Sequence, residues 1–491
     1  MAITSALTPD QFNLAFGQNL FAFTGITSED KYAMRVKQGV TVLADLRQSR
    51  NASGDAIFDI QNILQSYVEP SKYWVEQLGI HDQDPSVITA NVPLTNSENE
   101  VFGYNVEYGY ETSGVYTAIA TLSNFRAIGG SKMYYENYWK YDTYRPRVAG
   151  DGTGCTEVTR TAEVLTNWNN LKQVGQLSGG YPTRILSGSD QVLQYDKQVD
   201  QHLTNSYFNS LEEGTPATPV STKSIEAFQI NAYNGNTLVQ SVMIPNIVRN
   251  GGGPNTDLGG GSTVQADNLV ITMGTGPANL DLMRYYNDSV GSIQIFNLAT
   301  DATHYYISTH AATDEVECTT EWPGVTDQPL HRVVRVDIKP ANCFDYEPLE
   351  VSWQNSFGFR DYYVFNKKQQ QSISVTRNDY LADDIGYSGA AADAGANYGD
   401  RGYTTYSQKI QERYLANTDY MQDFEATYLR NLYQSPDVRV RLTDKYSEFD
   451  AYFYPVNLLS SGWTERNYRK DKLFQYEIQF KLANNIKSMR G

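Results

Sequence analysis

SIEAFQINAYNGNTLVQSVMI, residues Ser224 to Ile244, carries the clearest local signal in the chain. Apolar and polar residues alternate on both sides of Asn234-Gly235-Asn236, and a glycine there supplies the positive φ that a tight hairpin turn needs. The stretch reads as a strand, a turn and a returning strand that ends near Pro245. Downstream, further short strands are expected at Asn268 to Met273, Ser292 to Phe296, Tyr305 to Ser308 and Arg332 to Ile338. Short strands at even spacing, with turn residues between them, imply a β-sandwich-like module.

The same patterning recurs towards the N-terminus. Lys31 to Leu46 alternates around Gly39 and reads as a hairpin, Ala56 to Asp59 as a strand after the Asn51-Ala52-Ser53-Gly54 turn. Ile60, Ile63, Leu64 and Tyr67 then fall at helical spacing, so a short amphipathic helix is expected to stop before Pro70. Val101 to Phe125 reads as an aromatic hairpin turning at Ser113-Gly114. His81 to Leu94 reads as a linker, Asn137 to Gly154 as a loop, and Glu163 to Tyr195 as weak, Gly-interrupted strands.

At the C-terminal end, Arg360 to Thr376 is expected to be a hairpin, Leu381 to Gly402 a loop, and Thr404 to Leu415 a strand. A helix carrying Met421, Phe424, Tyr428 and Leu432 on one stripe is expected after Thr418 as N-cap, ending at Pro436. Strands follow at Val438 to Leu442, Asp450 to Leu458 and Lys472 to Leu482. The fold class is therefore mainly β and multi-domain: β-sandwich-like modules with a C-terminal antiparallel sheet plus one helix. The expected domains are 1–80, 81–222, 223–345 and 346–491.

Composition narrows the function classes. The 491 residues hold 39 Lys+Arg against 56 Asp+Glu, a net charge of −17, which argues against coating of nucleic acid. The 37 tyrosines give large rings with a polar tip, suited to sheet faces and wet interfaces. Three cysteines (Cys155, Cys318, Cys343) have no spacing for a zinc site or a disulfide framework. Neither a secretory signal nor a run long enough to span a bilayer is read, so synthesis in a cytoplasm and no membrane partner are expected.

Motifs for chemistry are sparse. His304 and His310 would need a third ligand such as Asp301 or Asp314 to hold a metal, the requirement of a metal-dependent hydrolase. Gly251 to Ser262 lacks the Lys of a phosphate loop, and Asp383, Asp384, Asp393 and Asp400 lack the order of a calcium loop. No nucleophile elbow occurs. The expectation is no enzyme activity, no cofactor and no metal.

Two segments together resemble a known family. Tyr32 to Pro70 (YAMRVKQGVTVLADLRQSRNASGDAIFDIQNILQSYVEP) is one; Asn355 to Tyr380 (NSFGFRDYYVFNKKQQQSISVTRNDY), with Asp471 to Gly491 (DKLFQYEIQFKLANNIKSMRG), is the other. The combination resembles virion structural proteins of tailed phages, particularly crAss-like and related phages of Bacteroidetes. The resemblance implies a β-domain subunit of the tail or neck, located in the virion. Such a subunit assembles with copies of itself as a homo-oligomeric ring and contacts other tail or neck proteins, with non-specific proximity to DNA if it lines a conduit.

On that reading Tyr362, Tyr363, Phe365, Tyr403 and Tyr406 are the interface candidates. Without it, Phe357, Phe359, Tyr362 and Phe365 read first as core. The competing reading is a tail-tip adhesin or depolymerase that stacks sugars on Trp139, Trp168, Trp322 or Trp353.

Overall fold

Turn geometry builds the first sheet. Gly39, at φ 56°, returns strand Lys31–Gln38 into Thr41–Gln48. Ser113 and Gly114, at φ 52° and 82°, return Val101–Thr112 into Val115–Ile128. Left-handed residues at the turn match the twist of paired strands, which is why these two hairpins were legible locally.

The structure, a computed structural model, describes residues 3–9, 12–26, 31–68, 101–130, 147–149, 155–157, 164–168, 171–173, 191–198, 203–208, 210–215, 218–225, 227–245, 270–280, 283–287, 292–310, 329–338, 346, 348–381, 403–421, 423–441, 453–459, 475–483 and 487–489. The expected linker from His81 to Leu94 and the loop from Gly251 to Ser262 lie outside these residues. Among them the fold is mainly β, made of several sheets in a multi-domain arrangement.

The N-terminal sheet has five strands in the order Phe12–Leu14, Val115–Ile128, Val101–Thr112, Lys31–Gln38, Thr41–Gln48. A three-stranded sheet of Thr4–Leu7, Leu20–Thr24 and Ala56–Asp59 shares its core. Phe23 stacks on Tyr108 at 4.7 Å and Phe21 meets Phe125 edge-on at 5.3 Å. Each such ring withdraws enough apolar surface to contribute roughly 1.5–3 kcal/mol. Because Lys31–Gln38 pairs with Val101–Thr112, the expected domain boundary at residue 80 does not hold: one sheet crosses it. The expected helix is present but short, Gln61–Leu64, entered with Asp59 Oδ1 accepting from the Gln61 amide at 3.0 Å.

The central sheet runs Leu171–Gln173, Gln191–Gln198, Val334–Ile338, His304–His310, Ala227–Asn234, Thr237–Pro245. Its last two strands are the hairpin read from the sequence, with Gly235 at φ 58°. Gln191–Gln198 pairs in parallel with Val334–Ile338, so the boundary expected at 222 also falls inside a sheet. Arg147–Ala149, within the expected loop, is a strand paired with Cys155–Glu157.

The C-terminal sheet follows the order Arg360–Phe365, Leu349–Gln354, Val438–Arg441, Phe453–Leu458, Glu477–Leu482, Tyr403–Asn417, Gln369–Leu381. Lys487–Met489 adds to the Tyr403–Asn417 strand. This corrects the expected hairpin over Arg360 to Thr376. Its halves are strands, but they sit at opposite ends of the strand order and do not pair with each other.

Only Asn366 to Lys368 join these two strands. The sheet therefore curls back on itself, and backbone bonds between Lys367, Lys368 and Asn417 close it at that end. The helix is Asp423–Gln434, starting later than expected. Thr418 is no N-cap: it is buried, and its hydroxyl and amide bond the Tyr476 backbone instead.

The central and C-terminal sheets share one apolar core that includes Trp168, Tyr195, Trp353, Tyr428 and Phe480, so the boundary expected at 345 does not separate two cores. The N-terminal unit meets this body where Gly129 and Gly130 cross Ser356 to Gly358. A Cβ on Gly130 would stand 2.0 Å from the Ser356 carbonyl oxygen, so only glycine allows that approach.

Candidate functional site

The C-terminal sheet sends out a two-stranded ribbon. Gln369–Leu381 and Tyr403–Asn417 pair antiparallel along their length, but Glu477–Leu482 supports only Tyr414 to Asn417. Lys487–Met489 flanks Gln408 to Ile410. From Ser372 to Leu381 the ribbon extends roughly 30 Å at the rise of an antiparallel strand. Almost every residue from Gln370 to Leu381 is exposed, which means that both faces meet solvent. Among the described residues no strand pairs with the outer edge of Gln369–Leu381.

Residues directly opposite in an antiparallel pair share a face. One face therefore carries Ile373 with Glu412, Val375 with Ile410, Arg377 with Gln408, Asp379 with Thr405 and Leu381 with Tyr403. Ile373, Leu381 and Tyr403 are 63%, 64% and 72% exposed, apolar area that nothing in the chain covers among the described residues. The register shifts between Asn378 and Asp379, leaving Tyr406 as the extra residue of a bulge. Its ring meets Tyr380 edge-on at 6.1 Å. Polar bonds line the ribbon: Thr405 Oγ1 donates to Asp379 across the two strands at 2.5 Å, and Tyr414 donates to Glu412 on its own strand at 2.8 Å.

The five interface candidates divide here. Tyr403 and Tyr406 are exposed on the ribbon. Tyr362, Tyr363 and Phe365 are buried and are corrected to core. Every residue of Arg360–Phe365 is covered on both faces, because the strand lies against the shared core of the two larger sheets. Tyr362 accepts from Thr204 Oγ1 at 3.0 Å, its amide donates to the Tyr428 hydroxyl at 3.0 Å, and its ring meets Phe453. Ile373, Val375, Tyr380 and Leu381 were missed as surface residues. The alternation of SISV fits a hairpin with Arg360–Phe365 as well as it fits a solvated ribbon, and the two strands do not pair.

Among the described residues the other candidates do not converge on a reaction centre. His304 and His310 lie six residues apart on one strand, roughly 20 Å at strand rise, too far to share an ion. Both are buried, and desolvation pulls each imidazole down to about 4, with the Arg335 charge adding to the effect at His304. Among the described residues no group of three His, Cys, Asp or Glu could hold a metal. Trp168 and Trp353 are buried and present no sugar platform; Trp139, Trp322 and the Asp383 to Asp400 carboxylates lie outside the described residues.

One carboxylate stands out inside the body. Asp361 is fully buried and accepts from Thr166 Oγ1 at 2.6 Å, the Asn167 amide at 3.1 Å and Asn355 Nδ2 at 3.2 Å. Burial pushes it up to about 6 against the opposing pull of those donors. It pins segment 164–168 to the C-terminal sheet.

No protein-family model matches the chain, and comparison with curated proteins returns no match.

Proposed function

We propose that the chain is a non-enzymatic structural subunit of a tailed-phage virion, assembling as a homo-oligomeric ring in the tail or neck and contacting other tail proteins. The observation that carries this reading is the ribbon. A two-stranded hairpin is marginal in water unless something covers it, and here a long one leaves the sheet with apolar residues on view. Such an element gains stability from a partner, which is what an assembly subunit offers. The resemblance of the two ends of the chain to virion proteins supplies the setting. A net charge of −17 suits a conduit that DNA traverses without sticking.

Electron microscopy of the purified chain, with its mass measured by light scattering, tests the reading. Closed rings of one chain are expected. A stable single molecule that turns over a reactant overturns it.

A further inference from the structure

The outer edge of the ribbon lacks the usual guards against strand pairing. An exposed edge strand is ordinarily protected by lysines, prolines or short length. Gln369–Leu381 has 13 residues, no Lys and no Pro, and its stretch from Gln369 to Thr376 carries no charge. The two charges it does carry, Arg377 and Asp379, stand two apart on one face. Among the described residues Arg377 forms no ion pair.

Placing a second copy of the strand antiparallel, with the two-fold axis at Asn378, sets Arg377 of each copy opposite Asp379 of the other. The same register sets Val375 opposite Leu381 twice and Thr376 opposite Tyr380 twice. Opposite charges and apolar pairs directly across an antiparallel ladder are the stabilising combinations, and like charges there are destabilising. Centring the axis on Val375 instead would put Arg377 against Ile373 and leave Asp379 against Gln371, so charge selects the Asn378 register.

We propose that residues 375–381 of this strand pair with the same seven residues of a second copy about a two-fold axis at Asn378, joining two ribbons edge to edge. This rests on the assembly reading above and adds to it a contact of a different kind. A self-matching patch joins protomers in pairs, whereas a ring needs head-to-tail contacts. Two short strands fall below the 20–30 residues a side of a free-standing interface, roughly speaking, so the pairing acts between copies that assembly already holds close.

The test uses the full chain with Asn378→Cys. A residue on the axis meets its own equivalent, so mild oxidation should trap a covalent dimer of N378C faster than of Thr376→Cys, with the unsubstituted chain and its three cysteines as background. Adding Arg377→Glu turns both ion pairs into like-charge pairs and should slow trapping about tenfold. Adding Asp379→Arg as well restores opposite charges and should restore the rate.

Equal trapping at positions 376 and 378, or a charge swap that fails to rescue, overturns the pairing. If rings form and N378C is not trapped, this contact falls while the assembly reading stands. If the chain stays single and untrapped, both fall. Circular dichroism of each variant verifies that the fold is kept.

Discussion

Replacing Asp361 by Asn should change how stability depends on pH, in a direction set by burial. Asp361 is held up at about 6 from an ordinary 3.8, chiefly because its surroundings exclude water. A folded-state pKa above the unfolded one means that the native chain keeps this proton after the unfolded chain has released it. The contribution is therefore complete below about pH 4 and is lost as pH rises to about 6. Two units correspond to about 3 kcal/mol. The assay is urea unfolding at a series of pH values from 4 to 7, followed by the fluorescence of Trp168, which stacks on Tyr195 at 5.2 Å beside this site, and of Trp353. Taking the difference between the parent and Asp361→Asn cancels the other titrating groups. That difference should move by about 3 kcal/mol against the parent between pH 4 and 7. A flat difference, or one moving the other way, would refute the argument that desolvation outweighs the three donors.

Other expectations follow from single contacts. His310, lowered to about 4 from 6.5 by burial, makes the fold gain stability as pH climbs through that window; His310→Gln should remove about 3 kcal/mol of acid-side loss, and an NMR imidazole titration near 6.5 would contradict this. The Tyr428 hydroxyl bonds both the amide and the carbonyl of Tyr362 at 3.0 Å, so Tyr428→Phe should lower stability by about 2–4 kcal/mol in a denaturant titration. Gly130→Ala forces a methyl into the Ser356 backbone and should cost about 1–3 kcal/mol or more, read as a lower melting temperature. Gly103→Ala, with nothing within 4 Å of its Cβ, is the control that should melt close to the parent.

Some of the burial pattern was legible in the sequence: the clean alternation of Tyr476, Ile478 and Phe480 against Glu477 and Gln479 gives a strand with one buried face, as found, and Tyr403 and Tyr406, expected at an interface, are exposed. Tyr362, Tyr363 and Phe365, expected at the same interface, lie on a different strand and are core. Their local patterns do differ: YYVF at 362–365 is a continuous apolar run, the mark of a strand covered on both faces, whereas YTTYSQKIQERYL at 403–415 interleaves polar residues as a solvated strand does.

The amino-acid sequence alone determined the β class and the hairpins at Gly39, Ser113-Gly114 and Gly235, since a left-handed turn between alternating strands is a property of a few adjacent residues. Tertiary structure decided everything that depends on which distant strands meet. Arg360–Phe365 and Gln369–Leu381 are separated by only Asn366 to Lys368, yet one is buried at one end of the sheet order and the other stands in solvent at the opposite end. Strand order is set by long-range burial and by closure of the curled sheet, and a period of two carries no information about which neighbour a strand will take.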